Sequence, residues 1–129
     1  TIADRDKKES LTVLSEFHRL GFHISATPGT AAFLQSHGIP ASTANKLHQE
    51  PPTVIDVLRH GNIKLVVNTM TAGKQPQRDG FRIRRTSVEL GIPCFTSLDT
   101  LTAFLEAVRF QRRGGKLSIL SLADYHGLD

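Results

Sequence analysis

The segment Ala26-Thr27-Pro28-Gly29-Thr30 sets two hydroxyls around a glycine, between the apolar run Phe22 to Ala26 and the helix-like run Ala31-Ala32-Phe33-Leu34. Glycine lets backbone approach a ligand closely, and the free N–H groups at a helix start face outward. A phosphate placed there gains charge-assisted hydrogen bonds and about 0.3–1 kcal/mol from the helix dipole. The same residues also make an ordinary helix cap, because threonine is common before a helix. Asp6-Lys7, Asn45-Lys46 and Asn68-Thr69-Met70-Thr71 each follow another short apolar run. A single loop lysine is ordinarily solvated. The joint placement of two lysines, hydroxyls and amides at neighbouring strand ends is what favours an anion site.

Other chemistries find less support. The six histidines, at 18, 23, 37, 48, 60 and 126, form no i, i+4 pair and no His-x-His, so no metal site is expected. There is no Gly-x-Ser-x-Gly elbow. Cys94, between Pro93 and Phe95, reads as a small buried hydrophobe. One cysteine excludes an internal disulfide and suits the cytoplasm. Asp79 with Arg82 to Arg85 reads as an ion-paired helix start. The net charge of +4 is scattered apart from Arg82-Ile83-Arg84-Arg85 and Arg112-Arg113, and neither run carries an aromatic stacking platform. A small anionic ligand therefore fits better than nucleic acid. No apolar run approaches the roughly 18 residues of a membrane span, and the polar start carries no secretory signal.

The elements that position these residues follow from two alternating periods. Leu11, Leu14, Phe17 and Leu20 predict a helix over about 6–20, capped by Gly21. A strand over 22–26 leads into the Thr-Pro-Gly-Thr turn and a second helix from Thr30, closed at Gly38. A short strand near 41–44, a helix over 53–60 stopped by Gly61 and a β-branched strand over 63–68 follow. Thr71 to Gly80 reads as a polar loop, and Arg82 to Leu90 as a helix ended by Gly91. Pro93 to Thr96 is a strand, and Ser97 caps a helix whose Leu101, Leu105 and Val108 share a face. Gln111 to Lys116 reads as a basic loop and Leu117 to Leu122 as a last short strand or packed segment. Such alternation predicts a parallel sheet covered on both faces by helices, with ligands beyond the carboxyl ends of the strands. The length of 129 residues fits one domain. The chain opens on Thr1, and Ile2-Ala3 reads as the end of a strand begun earlier, so an excerpt from a longer polypeptide is expected.

In order and spacing, these motifs resemble a known family over nearly the whole chain. Asp6-Lys7, Gly21-Phe22, Ala26-Thr27-Pro28-Gly29-Thr30, Asn45-Lys46-Leu47-His48, Asn68-Thr69 and Ile83-Arg84-Arg85 carry the likeness. They are similar to the methylglyoxal-synthase-like domain at the C-terminus of the carbamoyl-phosphate synthetase large subunit. The stretch from Lys116-Leu117-Ser118-Ile119 to His126 is similar to that subunit's last residues. The resemblance implies a three-layer, Rossmann-like or flavodoxin-like α/β domain with a five-stranded, mostly parallel sheet. It implies a non-catalytic allosteric domain without a cofactor, binding UMP as inhibitor or an IMP-like phosphorylated activator. Carried over by position, Lys7, Thr27, Thr30 and Lys46 hold the phosphate, with Gly29 at the turn. Asn68, Thr69 and the Thr71 to Lys74 loop meet the ribose or base. That loop is one residue longer than in a familiar form of the family, and Gly80 stands where that form has a serine.

The parent implied is an ATP-dependent synthetase serving pyrimidine or arginine biosynthesis. Its partners are the rest of the large subunit and, through it, the glutaminase small subunit, with a homo-oligomer contact as a further possibility. A partly apolar interface surface is expected. Two relatives share the fold. Methylglyoxal synthase, a lyase acting on dihydroxyacetone phosphate, needs a proton-abstracting carboxylate. Its Gly-Asp is replaced here by Glu50-Pro51-Pro52, its first histidine by Ala3, and its second falls near Gln77-Arg78; Glu50 is the substitute base under that alternative. The IMP cyclohydrolase domain is less similar at Arg84-Arg85 and at the C-terminus.

Overall fold

A computed structural model describes residues 1–70 and 78–116. Five helices and four short strands alternate along it. Helix α1 spans Asp4–Arg19, β1 Ser25–Ala26, α2 Pro28–Ser36, β2 Ser42–Thr43 and α3 Val54–His60. Strand β3 spans Val66–Val67, α4 Arg78–Glu89, β4 Cys94–Phe95 and α5 Leu98–Arg112.

The helices end where their sequences direct. Gly21 takes φ +92° just past α1. There its N–H bonds His18 O, while Phe22 N–H reaches back to Phe17 O. This paired closure needs a left-handed residue, which glycine supplies without steric cost. Helix α3 starts with a reciprocal cap: Thr53 N–H donates to Asp56 Oδ2 at 2.8 Å, and Asp56 N–H to Thr53 Oγ1 at 3.4 Å. The Thr53 bonds hold the Asp56 carboxyl below its ordinary pKa. Thr53→Ala is expected to lower stability by about 1 kcal/mol in urea titration, with an unchanged m-value. At the end of α3, Gly61 stays at φ −90° and Asn62 takes the left-handed φ of +52°.

Helix α4 starts at Arg78, so Arg78 to Gly80 belong to a helix rather than to the expected loop. Arg85 pairs with Glu89 one turn on, at 2.9 Å, rather than with Asp79. Helix α5 likewise continues to Arg112, through the start of the expected basic loop. Arg112 donates to Leu20 O and stacks over the Phe22 ring, so that arginine serves packing between α5 and the end of α1. The predicted segment Leu117 to Leu122 lies outside the described residues.

All pairing is parallel. Ser25 faces Ser42 and Ala26 faces Thr43, while Val66 faces Cys94 and Val67 faces Phe95. The five-stranded sheet expected from the resemblance is not what these residues form. Two separate two-stranded pairs, β1-β2 and β3-β4, take its place. Thr1 lies alongside β3 in parallel fashion, its amino group donating to Val67 O at 2.9 Å and its carbonyl accepting from Thr69 N–H at 3.3 Å.

Alternate side chains still divide between two cores. Leu65, Val67, Ile24 and Phe95 pack on one built from Val13, Leu14 and Phe17 of α1, Leu34 of α2, and Leu98, Leu101 and Leu105 of α5. Ile63 and Val66 pack on a second, built from Ile55 and Leu58 of α3 and Ile83 of α4. Helices thus cover both faces of the strands, and the period of two sends neighbouring residues to opposite layers. Cys94 is half-buried, and burial raises its thiol pKa. No helix among the described residues is long and apolar enough to cross a membrane.

Candidate phosphate-binding site

A cavity of about 420 Å³ opens at the carboxyl ends of β1 and β3. Lys7, Thr27, Gly29, Thr30, Lys46, Asn68 and Thr69 all line it. Seven of the nine residues singled out in the sequence therefore come together, although they span four loops or helix starts. Thr71 and Lys74 lie outside the described residues.

The turn is built as an open helix end. Thr27 precedes α2 but its side chain caps no backbone N–H. Pro28 has no N–H, and the first backbone bond of α2 runs from Ala31 N–H to Thr27 O, at 2.8 Å. The N–H groups of Gly29 and Thr30 precede that bond and have no carbonyl partner within the helix. The ordinary-cap reading predicted a Thr27 hydroxyl bonded to one of them. Instead Thr27 Oγ1 lies 3.5 Å from Thr30 Oγ1.

The hydroxyls around the turn are oriented by what they accept. Thr30 Oγ1 accepts from Ile2 N–H at 3.3 Å, and Thr69 Oγ1 from Ala3 N–H at 2.7 Å. Each residue is buried, and each hydroxyl retains its own hydrogen for donation. A buried donor aimed at a cavity gains most from an anionic acceptor. Asn68 has a different task. Its Nδ2 donates to Gly80 O at 3.0 Å, tying the end of β3 to the first turn of α4.

The positive charge comes from two directions. Lys7, in the first turn of α1, has a side chain only 18% exposed, and its Nζ would lie 3.6 Å from a Cβ placed on Gly29. It bonds Asp4 at 2.6 Å. That bond, the Lys7 charge and the Lys46 charge together lower the Asp4 pKa. Both ammonium groups thus act on one carboxylate at the rim. Lys46 is exposed, and its loop is braced by its backbone N–H donating to Gln49 Oε1 at 2.9 Å.

Among the other residues that line the cavity without having been singled out as ligand contacts are Asp4, His48, Asp79 and Gly80. His48 stood in the motif Asn45-Lys46-Leu47-His48, so its proximity was readable there. Asp79 became part of the site because α4 starts earlier than the sequence pattern indicated. Glu50, the candidate substitute base, is not among the lining residues, and its backbone carbonyl accepts from Asn45 Nδ2 at 2.7 Å. Among the described residues, no group of three or more His, Cys, Asp or Glu is placed to hold a metal ion.

Parallel strands under helices, with an open helix end and two lysines at one strand edge, define a parallel α/β domain with a candidate site at its strand ends. Comparison with protein families matches residues 9–96 to the MGS-like domain, and the chain belongs to that family. The matched span holds every lining residue singled out above except Lys7, which precedes it by two positions.

Proposed function

We propose that this MGS-like domain binds a phosphorylated small molecule, a nucleoside monophosphate, as an allosteric effector. The observation that carries the reading is the uncapped start of α2 with Lys7 against Gly29 and two hydroxyl hydrogens free to donate. The phosphate takes the Gly29 and Thr30 N–H groups, the Thr30 hydroxyl and the two ammonium groups. The remaining volume toward Asn68, Thr69 and His48 accepts the nucleoside. Under this reading the parent is the carbamoyl-phosphate synthetase large subunit, and UMP or an IMP-like molecule is the effector. Phe81 and Val88, 56% and 75% exposed on α4, supply an apolar surface through which a bound domain meets that subunit. A coupling of about 1–3 kcal/mol between the sites is the typical scale.

A lyase acting on dihydroxyacetone phosphate is the second reading, favoured by the Asp79 carboxylate at the same cavity. Asp4 serves it poorly, because the two lysines stabilise its ionised form and make it a weak base. Two assays separate the readings. UMP and IMP, titrated to about 100 times their dissociation constants, are expected to stabilise the chain by about 2.7 kcal/mol, read as a rise in Tm. Dihydroxyacetone phosphate is expected to remain unconverted. Turnover of the triose phosphate without a nucleotide-induced rise would establish the lyase instead.

A further inference from the structure

Opposite charges line the phosphate cavity. Lys7 and Lys46 are matched there by Asp4 and Asp79, so a phosphate enters a site that already holds carboxylates beside its two ammonium groups. Of these carboxylates it is Asp4 that engages the lysines: its Oδ1 accepts from Lys7 Nζ at 2.6 Å, and the Lys46 charge acts on it as well. Asp6, also in the first turn of α1, pairs instead with Arg5 at 3.6 Å and does not line the cavity. We propose that Asp4 is a built-in rival of the phosphate, an internal anion that occupies Lys7 until a phosphorylated ligand displaces it, and that it thereby weakens the site's affinity. The role rests on the effector reading given above and belongs to a residue that the ligand itself does not touch.

The pair is built to open. Asp4 and Lys7 lie three residues apart on α1, so their side chains meet on one face of the helix. The Lys7 side chain is mostly buried and that of Asp4 almost wholly exposed. Burial of the Lys7 stem keeps the ammonium against the Gly29 backbone without help from the carboxylate. Asp4 loses little on release, because an exposed carboxylate returns to water. Binding is then an exchange of anions at an ammonium that stays in place. A phosphate monoester brings more charge and more acceptor oxygens than a carboxylate, and it adds bonds to the Gly29 and Thr30 N–H groups at the start of α2.

Two other roles for Asp4 make different forecasts. A carboxylate needed to aim Lys7 would weaken binding when removed, whereas removal of a rival anion strengthens it. A carboxylate that only repels the ligand through space would do so whatever stands at position 7. A rival that acts through Lys7 loses its effect once Lys7 is neutral.

The test is calorimetric titration of UMP and uridine into the 129-residue chain and its Asp4→Asn, Lys7→Met and doubly substituted forms. Asp4→Asn is expected to tighten UMP binding by about 3- to 5-fold, the upper range for an exposed ion pair, and to leave uridine unchanged. Added to Lys7→Met, the same substitution is expected to change UMP affinity by less than about 1.5-fold, because the two residues act as one pair. Unchanged or weaker UMP binding by Asp4→Asn would overturn the proposal, and so would an equal gain in both backgrounds. Carboxyl-carbon NMR of the unaltered chain supplies a second measurement should Asp4→Asn not fold. Saturation with UMP is expected to shift the Asp4 signal and to raise its pKa toward the ordinary 3.8. An unmoved Asp4 signal with UMP bound overturns the rival role and leaves the effector site standing. Failure of both the unaltered chain and Asp4→Asn to bind UMP overturns the effector site, and the rival role with it.

Discussion

Lys7→Met is expected to weaken binding of UMP by about 10- to 100-fold while leaving uridine affinity unchanged. The size follows from removing one charge-assisted contact, about 1.5–3 kcal/mol, converted through about 1.4 kcal/mol per factor of ten. Methionine keeps the unbranched stem that packs along α1, so the substitution isolates the ammonium. That ammonium is held against the Gly29 backbone with only 18% of the side chain exposed, and so acts at short range with little screening. Stability is expected to change by less than about 1 kcal/mol, because the Asp4 partner is 94% exposed and returns to water when released. Lys46→Met is expected to cost less, about 3- to 10-fold, since Lys46 is exposed and must give up side-chain freedom to reach the phosphate. Calorimetric titrations with nucleotide and nucleoside side by side check both. An equal loss for UMP and uridine would move Lys7 from the phosphate to the base or to a structural role.

The lining of the candidate phosphate site was legible in the sequence because its parts obey local rules. A strand, a turn with glycine and hydroxyls, and a helix are recognisable within ten residues, and parallel α/β connectivity brings every such turn to the same edge. What the sequence left open at Thr27 was a choice between two uses of one hydroxyl. In the structure the Thr27 hydroxyl meets Thr30 rather than a backbone N–H, so it does not act as the helix cap. Asp79 was less legible. Arg78 and Asp79 are ordinary residues for a polar loop, and the bond from Asn68 Nδ2 to Gly80 O that anchors this helix start is a contact between distant segments. The sheet shows the limit in another way. Period and composition located all four strands near their observed positions, yet they predicted longer ones. Strand length depends on having a hydrogen-bonding neighbour along each edge, and β1 and β3 are not bonded to each other.

Leu101→Ala is expected to give the reverse pattern from Lys7→Met: a large loss of stability with nucleotide affinity preserved. Leu101 is fully buried, with Leu98 and Leu105 on the same face of α5, in the core that α5 shares with α1. Removing its branched end leaves a hole that neighbouring side chains fill only in part, at a cost of about 2–5 kcal/mol. For a chain of this size the corresponding fall in Tm is about 10–20 °C. Ser97 still caps the helix through Thr100 N–H, at 3.2 Å, so the loss is one of packing and not of helix initiation. Leu101 does not line the candidate site, and α5 lies beyond the residues matched to the MGS-like domain. Distant sites with no shared partner contribute additively to within a few tenths of a kcal/mol. UMP at about 100 times its dissociation constant is therefore expected to restore about 2.7 kcal/mol to Leu101→Ala, the same increment that it gives the unaltered chain. Thermal melts of the two chains with and without UMP measure that increment. A smaller increment in Leu101→Ala would show that packing between α5 and α1 also sets the position of Lys7, since α1 carries both the buried face that meets α5 and the ammonium that meets Gly29.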